Sequence, residues 1–538
     1  MIPDGTRSRD RAPRTVAFET LGCKLNQYET DSIATTLLQR GYVVAPFGPG
    51  ADAYVINSCT VTNKADRKSR NTLYRAERLA ETRNGTIQPN ETALHPDETG
   101  TDPKEIETHP NETATHAHEA ARRAHAADDA TPGTPVILTG CFVDSHPGFD
   151  RSTRRTTYLV DNKHKNTIPD LLEAHFRGET VDPFTLQPDV FGFSTPEQVF
   201  HTRTNIKIQD GCDNFCTFCI IPRVRGRARS RPVEEVLREA REAIERGSRE
   251  LILTGVNMSR YRGDAPTAHG TAAAGTTGTD HATGGDNTSG VVNGTGGDNT
   301  NGDAAPDFVD LVQAILELPG EFRLRISSLE PDGLNQRFVR LFEHPRMCPH
   351  LHLCLQSGSD RVLLRMRRMY TTGAYRDLAE KLRELDPAFN LTTDLIVGFP
   401  GEEDADLTAS IDAVRDYRFG HVHLFPFSVR AGTRAERMDG AVDNREKRRR
   451  AEAIQDVALE EKRRYRSSLV GKNDTVLVEK TENTPEGTVA YGLGRYYVPI
   501  VFSVPAGGAI EPNRFYPVTI TGVETDRDEP RLLGRWGG

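Results

Sequence analysis

Disulfide scaffolds and membrane spans are the first things this sequence lacks the material to build. Eight cysteines in 538 residues are too few to staple a chain of this length. In such a chain, cysteines at short spacing point to metal ligation or catalysis rather than to bridges. No run of about 18 apolar residues occurs, so no transmembrane helix is expected. The opening MIPDGTRSRDRAPR has no apolar core of the kind a secretory signal needs, and a cytoplasmic protein is expected. Large apolar side chains are also scarce in two long stretches. Residues 81–134 are rich in Glu, Thr, His, Asp and Ala, and residues 264–306 in Gly, Thr, Asn and Asp. Neither buries enough surface to offset its ordering entropy, so both are expected to be disordered insertions. Their N-x-T triplets at Asn84, Asn90, Asn111 and Asn293 are chance matches in such text rather than glycosylation sites.

Positive charge is the smaller share: 68 Lys and Arg stand against 77 Asp and Glu, a net charge of −9. That total argues against a nucleic-acid partner, but distribution matters more. IPRVRGRARSR places Arg223, Arg225, Arg227, Arg229 and Arg231 on alternate residues, and NREKRRR (444–450) and EEKRRYR (460–466) follow. A solvated face explains any one of these runs. Three of them in a chain that is acidic elsewhere favour a polyanionic partner.

What is present in quantity is β/α alternation. TVAFET, AYVINS, PVILTG and TTYLVD read as strands. YETDSIATTLLQRGY, ADRKSRNTLYRAERLA and IPDLLEAHFRG read as helices between and after them. This predicts a doubly wound α/β domain over 14–180. Six further β/α units follow over 198–440, with strands NIKIQD, ELILTG, RLRISS, HLHLCLQ, NLTTDLIVG and HVHLFPF. They predict a partial (βα)6 barrel with its chemistry at the strands' C-terminal ends. The helix RPVEEVLREAREAIERG is expected to take Ser230 as N-cap, with Pro232 in its first turn and Gly247 as its stop. A basic helix over 441–466 leads to 467–536, where DTVLVEK, GTVAYG, YYVPIVF and YPVTITGVE predict a small all-β barrel.

The cysteines sit at telling places in this frame. Cys23, Cys59 and Cys141 each lie just past a strand of the first domain. Parallel strands end at one edge, so three cysteines distant in sequence are expected to converge there, either as a metal site or as three buried thiols. Cys212, Cys216 and Cys219, in CDNFCTFC, stand at C-x3-C-x2-C spacing after the first strand of the barrel. A closed zinc site wants four ligands, and no histidine lies in the run. Three thiolates hold either a 4Fe–4S cluster with one open iron or a three-cysteine zinc.

The order of motifs settles on a family likeness. C-x3-C-x2-C after the first barrel strand resembles the radical S-adenosylmethionine enzymes. LGCKLNQYETD, INSCTVTNKADRKSR and LTGC resemble the N-terminal domain of the methylthiotransferases within them. CIIPRVRGRARSRP, LTGVN, RISSLEP, LQSGSD, TDLIVGFPGE and FPFSVRAGTRA match their radical domain in order, and the tail resembles their RNA-binding TRAM barrel. The resemblance implies two 4Fe–4S clusters, one on Cys212, Cys216 and Cys219 and an auxiliary one on Cys23, Cys59 and Cys141. It implies S-adenosylmethionine both as radical source, with Phe218 against its adenine, and as methyl donor. Thr254, Gly255, Glu330, Gln356 and Asp394 are the candidate cofactor contacts, each with turn or cap chemistry as the plain alternative. Arg430 is a candidate partner for an acidic group on the substrate, or an ordinary surface salt bridge.

Within the family, GCKLNQYET and CTVTNKADRKSR resemble the branch that modifies threonylcarbamoyladenosine in tRNA. The implied substrate is that base, 3′ of the anticodon and open to a pocket in a single-stranded loop. An electron donor such as flavodoxin or ferredoxin and a sulfur donor are implied partners. Three other readings compete: action on isopentenyladenosine in tRNA, action on an aspartate of a ribosomal protein, and a non-enzymatic zinc-holding RNA-binding protein. The chain departs from the family pattern at Cys354, where proline is usual, and at Phe142, where tyrosine is usual. Cys348 and Cys354 are expected to be buried thiols.

Overall fold

A computed structural model describes residues 13–83, 133–149, 158–197, 200–263, 305–485, 487–505, 508–524 and 530–537. The two expected insertions lie outside the described residues except at their edges. The last turn of one helix reaches Arg83, three residues into the first of them.

The N-terminal strands are β1 (Thr15–Thr20), β2 (Val43–Ala45), β3 (Ala53–Ser58), β4 (Val136–Gly140) and β5 (Tyr158–Val160). They form one parallel sheet in the order β2-β1-β3-β4-β5. This is a doubly wound order whose switch point falls between β1 and β3. Side chains alternate across it. Val16, Phe18 and Val55 face one core with Ile33 and Leu37 of helix α1 (Lys24–Gln39). Ala17, Tyr54 and Ile56 face the other with Leu73 and Ala76 of helix α2 (Asn63–Arg83). The short edge strand β2 went unread because three residues carry no periodicity.

Helix α1 is buried on both sides. Its polar Asn26, Glu29, Thr30 and Asp31 are as enclosed as its apolar Leu25 and Ile33. Burial alone pushes the Asp31 carboxyl up to about 7. A carboxyl raised in the folded state favours folding at low pH and loses that advantage as pH rises from its unfolded value near 4. Asp31→Asn should therefore stabilise the protein at pH 8, by ~3 kcal/mol, and change little at pH 4. Thermal melts at the two pH values measure this, and equal shifts at both would rule out titration as the cause.

The second sheet system is parallel throughout. Strands β6 (Thr204–Lys207), β9 (Glu250–Thr254) and β10 (Arg323–Ile326) pair in the order β10-β9-β6. Strands β11 (Ser328–Leu329), β12 (His350–Leu353), β13 (Asn390–Val397) and β14 (His421–Pro426) continue the curve. β10 and β11 are one strand interrupted at Ser327, and Leu324 within β10 bridges to Met347. Among the described residues β14 does not pair with β6. The barrel is therefore partial, as expected, and α1 packs beside its edge strand β6. A small hairpin, β7 (Gln209–Asp210) with β8 (Arg229–Ser230), brackets the cysteine loop. Ser230 sits in that hairpin rather than capping the next helix. The helix begins at Val233 behind Pro232, and Ser230 Oγ accepts from the Arg262 amide instead.

The basic helix runs Asn444–Ser468, capped by Asp443. Arg450, Lys462 and Arg466 lie on its buried side, Arg450 paired with Glu402 at 3.1 Å. Only part of that basic run faces outward. The C-terminal strands β15 (Asn473–Thr484), β16 (Gly487–Leu493), β17 (Pro499–Val504), β18 (Phe515–Glu524) and β19 (Arg531–Trp536) close into a barrel, β15-β16-β17-β19-β18. Its fifth strand, RLLGRW, was hidden by its glycine. Gly534 is needed there, since a Cβ would sit 2.3 Å from Val518 Cγ1.

Among the described residues, no helix is long and apolar enough to cross a membrane.

Candidate active site

The loop carrying Cys212, Cys216 and Cys219 leaves the C-terminal end of β6, on the barrel's catalytic rim. Gly211 starts it at φ +70, and a Cβ there would lie 2.0 Å from the Arg227 carbonyl oxygen, so only glycine fits. Cys212 N donates to Gly226 O at 3.1 Å, and Cys219 N to Cys216 O at 3.0 Å. Thr217 pins the middle of the loop. Its amide donates to Met366 O, its hydroxyl to Arg365 O, and its carbonyl accepts from Ala435 N. Gln209, which the sequence did not single out, ties this loop to the LTGVN loop. Its side-chain oxygen accepts from the Val256 and Asn257 amides, and its nitrogen donates to Gly211 O.

The sulfurs are enclosed. Burial, and then the other two sulfurs of the set, push the Cys219 thiol up to about 12. Burial likewise raises Cys212 and Cys216. Arg368 donates to Cys216 Sγ at 3.2 Å and to Glu330 at 2.9 Å, and Asn214 donates to the other oxygen of Glu330 at 2.6 Å. Glu330 thus stands beside the cysteine loop. Phe218 packs edge-on against Phe399 at 6.3 Å. Thr254 ends β9, its carbonyl accepting from the Ile208 amide, and Gly255 opens the LTGVN loop. Gln356 adopts φ +67, held there because its amide donates to Asp394 O while its carbonyl accepts from Ile396 N. Strain of this kind in a non-glycine residue collects at functional sites.

Cys23, Cys59 and Cys141 follow β1, β3 and β4, three adjacent strands, and so converge at one sheet edge beside the switch point. Gly22 and Gly140 make the convergence possible. Both have positive φ; a Cβ on Gly22 would sit 2.9 Å from Cys59 Sγ, and one on Gly140 2.5 Å from Ser58 O. Burial, and then the neighbouring Cys141 and Cys23, push Cys59 up to about 11. Cys141 is raised by burial against the pull of Arg225 and Lys165. Cys141 also packs against Ile220 and Val224, in the segment that follows Cys219. The two sets therefore occupy neighbouring loops.

The spacing within each set bears on what it holds. Among the described residues, no three of these sulfurs lie within 4.8 Å of one another. A tetrahedral zinc with bonds of about 2.3 Å holds its sulfurs about 3.8 Å apart. A bound metal's positive charge would replace the protons that burial now favours.

Several groups were not foreseen. Glu29 of α1 is buried among Lys165 (2.5 Å), Lys207 (2.9 Å) and Arg225 (2.9 Å), and Asp210 pairs with Lys207 at 2.7 Å. Asn26 accepts from Arg225 at 2.7 Å and donates to Leu21 O and Ser58 O, each next to a cysteine loop of the first domain. Arg225 and Arg231, read as part of a basic run, are thus interior groups, with Arg231 paired to Glu239. Arg223 and Arg227 remain exposed. Arg430 is neither a surface bridge nor free for substrate. It is buried, pairs with Asp66 of α2 at 2.5 Å and also donates to Asn63. Cys348 is buried as expected. Cys354 is only partly so, and its sulfur lies with His352 and Asp394 in one group whose ligand-type atoms are within 4.8 Å of each other.

The radical S-adenosylmethionine superfamily profile matches residues 206–414, and that of the uncharacterized protein family UPF0004 matches residues 15–88. The threonylcarbamoyladenosine tRNA methylthiotransferase MtaB of Thermotoga maritima is 31% identical over 468 residues, 87% of each chain. The protein of the same name from Bacillus subtilis is 30% identical over 497 residues, 91% of this chain and 90% of its own. Among solved structures, the radical S-adenosylmethionine methyltransferase TsrM of Kitasatospora setae aligns with a TM-score of 0.46 at 12% identity, over 77% of this chain and 75% of its own.

Proposed function

The chain belongs to the MtaB family of threonylcarbamoyladenosine tRNA methylthiotransferases, and we propose here how its residues serve that reaction. It is a radical S-adenosylmethionine enzyme that converts N6-threonylcarbamoyladenosine, on the 3′ side of the anticodon, to its 2-methylthio derivative. One observation carries the reading of the site. Two three-cysteine sets, one in the loop after β6 and one at the ends of β1, β3 and β4, meet where Cys141 packs against Ile220 and Val224.

On this reading Cys212, Cys216 and Cys219 hold one 4Fe–4S cluster, and Cys23, Cys59 and Cys141 hold a second. When bound, the first supplies the electron that cleaves S-adenosylmethionine, and the second a site at which sulfur is held near the substrate carbon. The chain's own residues position and exclude. Thr217 and Gln209 fix the first loop, and Arg368 places positive charge against Cys216. Phe218 offers a face to the cofactor's adenine, and Thr254, Gly255, Glu330, Gln356 and Asp394 line the rim around it. A second S-adenosylmethionine would supply the methyl group. The units 14–180, 198–440, 441–466 and 467–536 divide these tasks, with the closing barrel and the exposed arginines of the basic helix holding tRNA phosphates. A reductant such as flavodoxin or ferredoxin and a sulfur donor complete the reaction, which we place in the cytoplasm.

Anaerobic reconstitution should give about eight irons per chain. tRNA from a deletion strain should lose the methylthio form of threonylcarbamoyladenosine by nucleoside mass spectrometry. Stoichiometric zinc without iron would overturn the site reading. Loss of methylthio-isopentenyladenosine instead would overturn the substrate.

A further inference from the structure

Lys24 follows Cys23 directly and is the first residue of α1. Its ammonium lies 5.1 Å from the ring centre of Tyr497, in the turn between β16 and β17. Among the described residues it has no hydrogen-bond acceptor and no ion-pair partner. The charges around it do not supply one. Glu250 is committed to Arg323 at 2.5 Å and Arg325 at 2.9 Å, and Glu479 to Arg203 at 3.2 Å. Lys24, Arg203, Arg323 and Arg325 are thus four cations against two carboxylates. Lys24 itself is half-buried. Lys24, Arg203 and Arg325 draw the Tyr497 phenol down to about 8. His350, whose ring lies 4.6 Å from that of Tyr497, is held neutral by burial and by Arg325.

This cationic end is joined to the radical-loop end by one polar wall. Cys216 meets Arg368, and Arg368 meets Glu330. Next along the wall are Cys354, Asp394 and His352, with Asp394 3.2 Å from His352. His350 is two residues from His352 on the same face of β12, and beyond it come Tyr497 and Lys24. A half-buried cation with no partner of its own is open to an anionic group that a ligand brings. The substrate carries one such anion: the carboxylate of the threonyl arm on N6, remote from the carbon that receives sulfur.

Resting on the substrate assigned above, we propose that Lys24, backed by Arg325 and Tyr497, receives the threonyl carboxylate and so selects the threonylcarbamoyl base. The test is equilibrium binding of synthetic anticodon stem-loops to the reconstituted full chain. The stem-loops carry threonylcarbamoyladenosine, its neutral methyl ester, isopentenyladenosine or plain adenosine. The wild type should prefer the acid to the ester by about 30-fold, the factor for ~2 kcal/mol of charge-assisted hydrogen bonding. Lys24→Gln should bind acid and ester alike with its iron content intact, and Lys24→Arg should restore the preference. An acid-to-ester ratio near one in the wild type would overturn the proposal without any variant, and so would a full ratio kept by Lys24→Gln. If the wild type instead prefers isopentenyladenosine or plain adenosine, it is the substrate assignment that fails.

Discussion

Cys141→Ala should halve the iron of the reconstituted protein, from about eight to about four atoms per chain. Methylthio product should fall below detection, while reductive cleavage of S-adenosylmethionine to 5′-deoxyadenosine continues. The asymmetry follows from where the sulfurs sit. Cys141 belongs to the first sheet's edge, and it meets the segment after the radical loop through Ile220, Ile221 and Val224. The anchors of the radical loop are separate: Thr217 on Met366, Arg365 and Ala435, and Cys212 on Gly226. Removing one sulfur from the edge set therefore leaves the other loop's frame standing. Cys212→Ala should do the reverse, keeping about four irons but losing both cleavage and product. Iron and sulfide analysis with chromatography of the two nucleoside products measures all of this. Full iron content in Cys141→Ala, or product from it, would mean that the edge cysteines are free thiols, exposed at Cys23 and buried at Cys59 and Cys141.

The cysteine sets were legible because parallel sheets impose a rule that sequence alone can use. Strands of one parallel sheet end at one edge, so residues after TVAFET, AYVINS and PVILTG had to approach each other wherever the helices ran. The same logic placed CDNFCTFC on the barrel rim. What escaped was the interior polar framework. Glu29, Asn26 and Lys24 lie in a helix whose Ile33 and Leu37 form an apolar stripe, and the sequence carries no sign of what covers its other face. That face is covered by the barrel's edge strand, and covered charge looks like exposed charge until the partner is known. Arg225 and Arg231 misled for the same reason, as did Arg430. Alternate arginines suggested one basic surface, but the loop after Cys219 turns Arg225 and Arg231 inward and leaves Arg223 and Arg227 outside.

Glu29→Ala should be the most destabilising single change away from the cysteines, by about 3–5 kcal/mol. The buried cluster holds Lys165, Lys207 and Arg225 against Glu29 and Asp210, an excess of one positive charge. Without Glu29 three buried cations share Asp210 alone. The carboxylate is held well below its usual range by Arg225, Lys165 and Lys207, which outweigh the cost of burying it. Its contribution is therefore fully present above about pH 4.5 and is lost as pH falls below that value. Urea unfolding should show a large drop at pH 7 that shrinks toward pH 3. Arg40→Ala, which breaks only the exposed or half-exposed pairs with Asp170 and Glu173, should cost ~0–1 kcal/mol. The consequence for chemistry is specific. Arg225 also reaches Asn26, which donates to Leu21 O and Ser58 O beside Cys23 and Cys59. A milder variant, Glu29→Gln, should therefore reconstitute with less edge-set iron than radical-loop iron. Equal loss from both sets would mean that the cluster merely glues the domains and does not hold the edge cysteines in place.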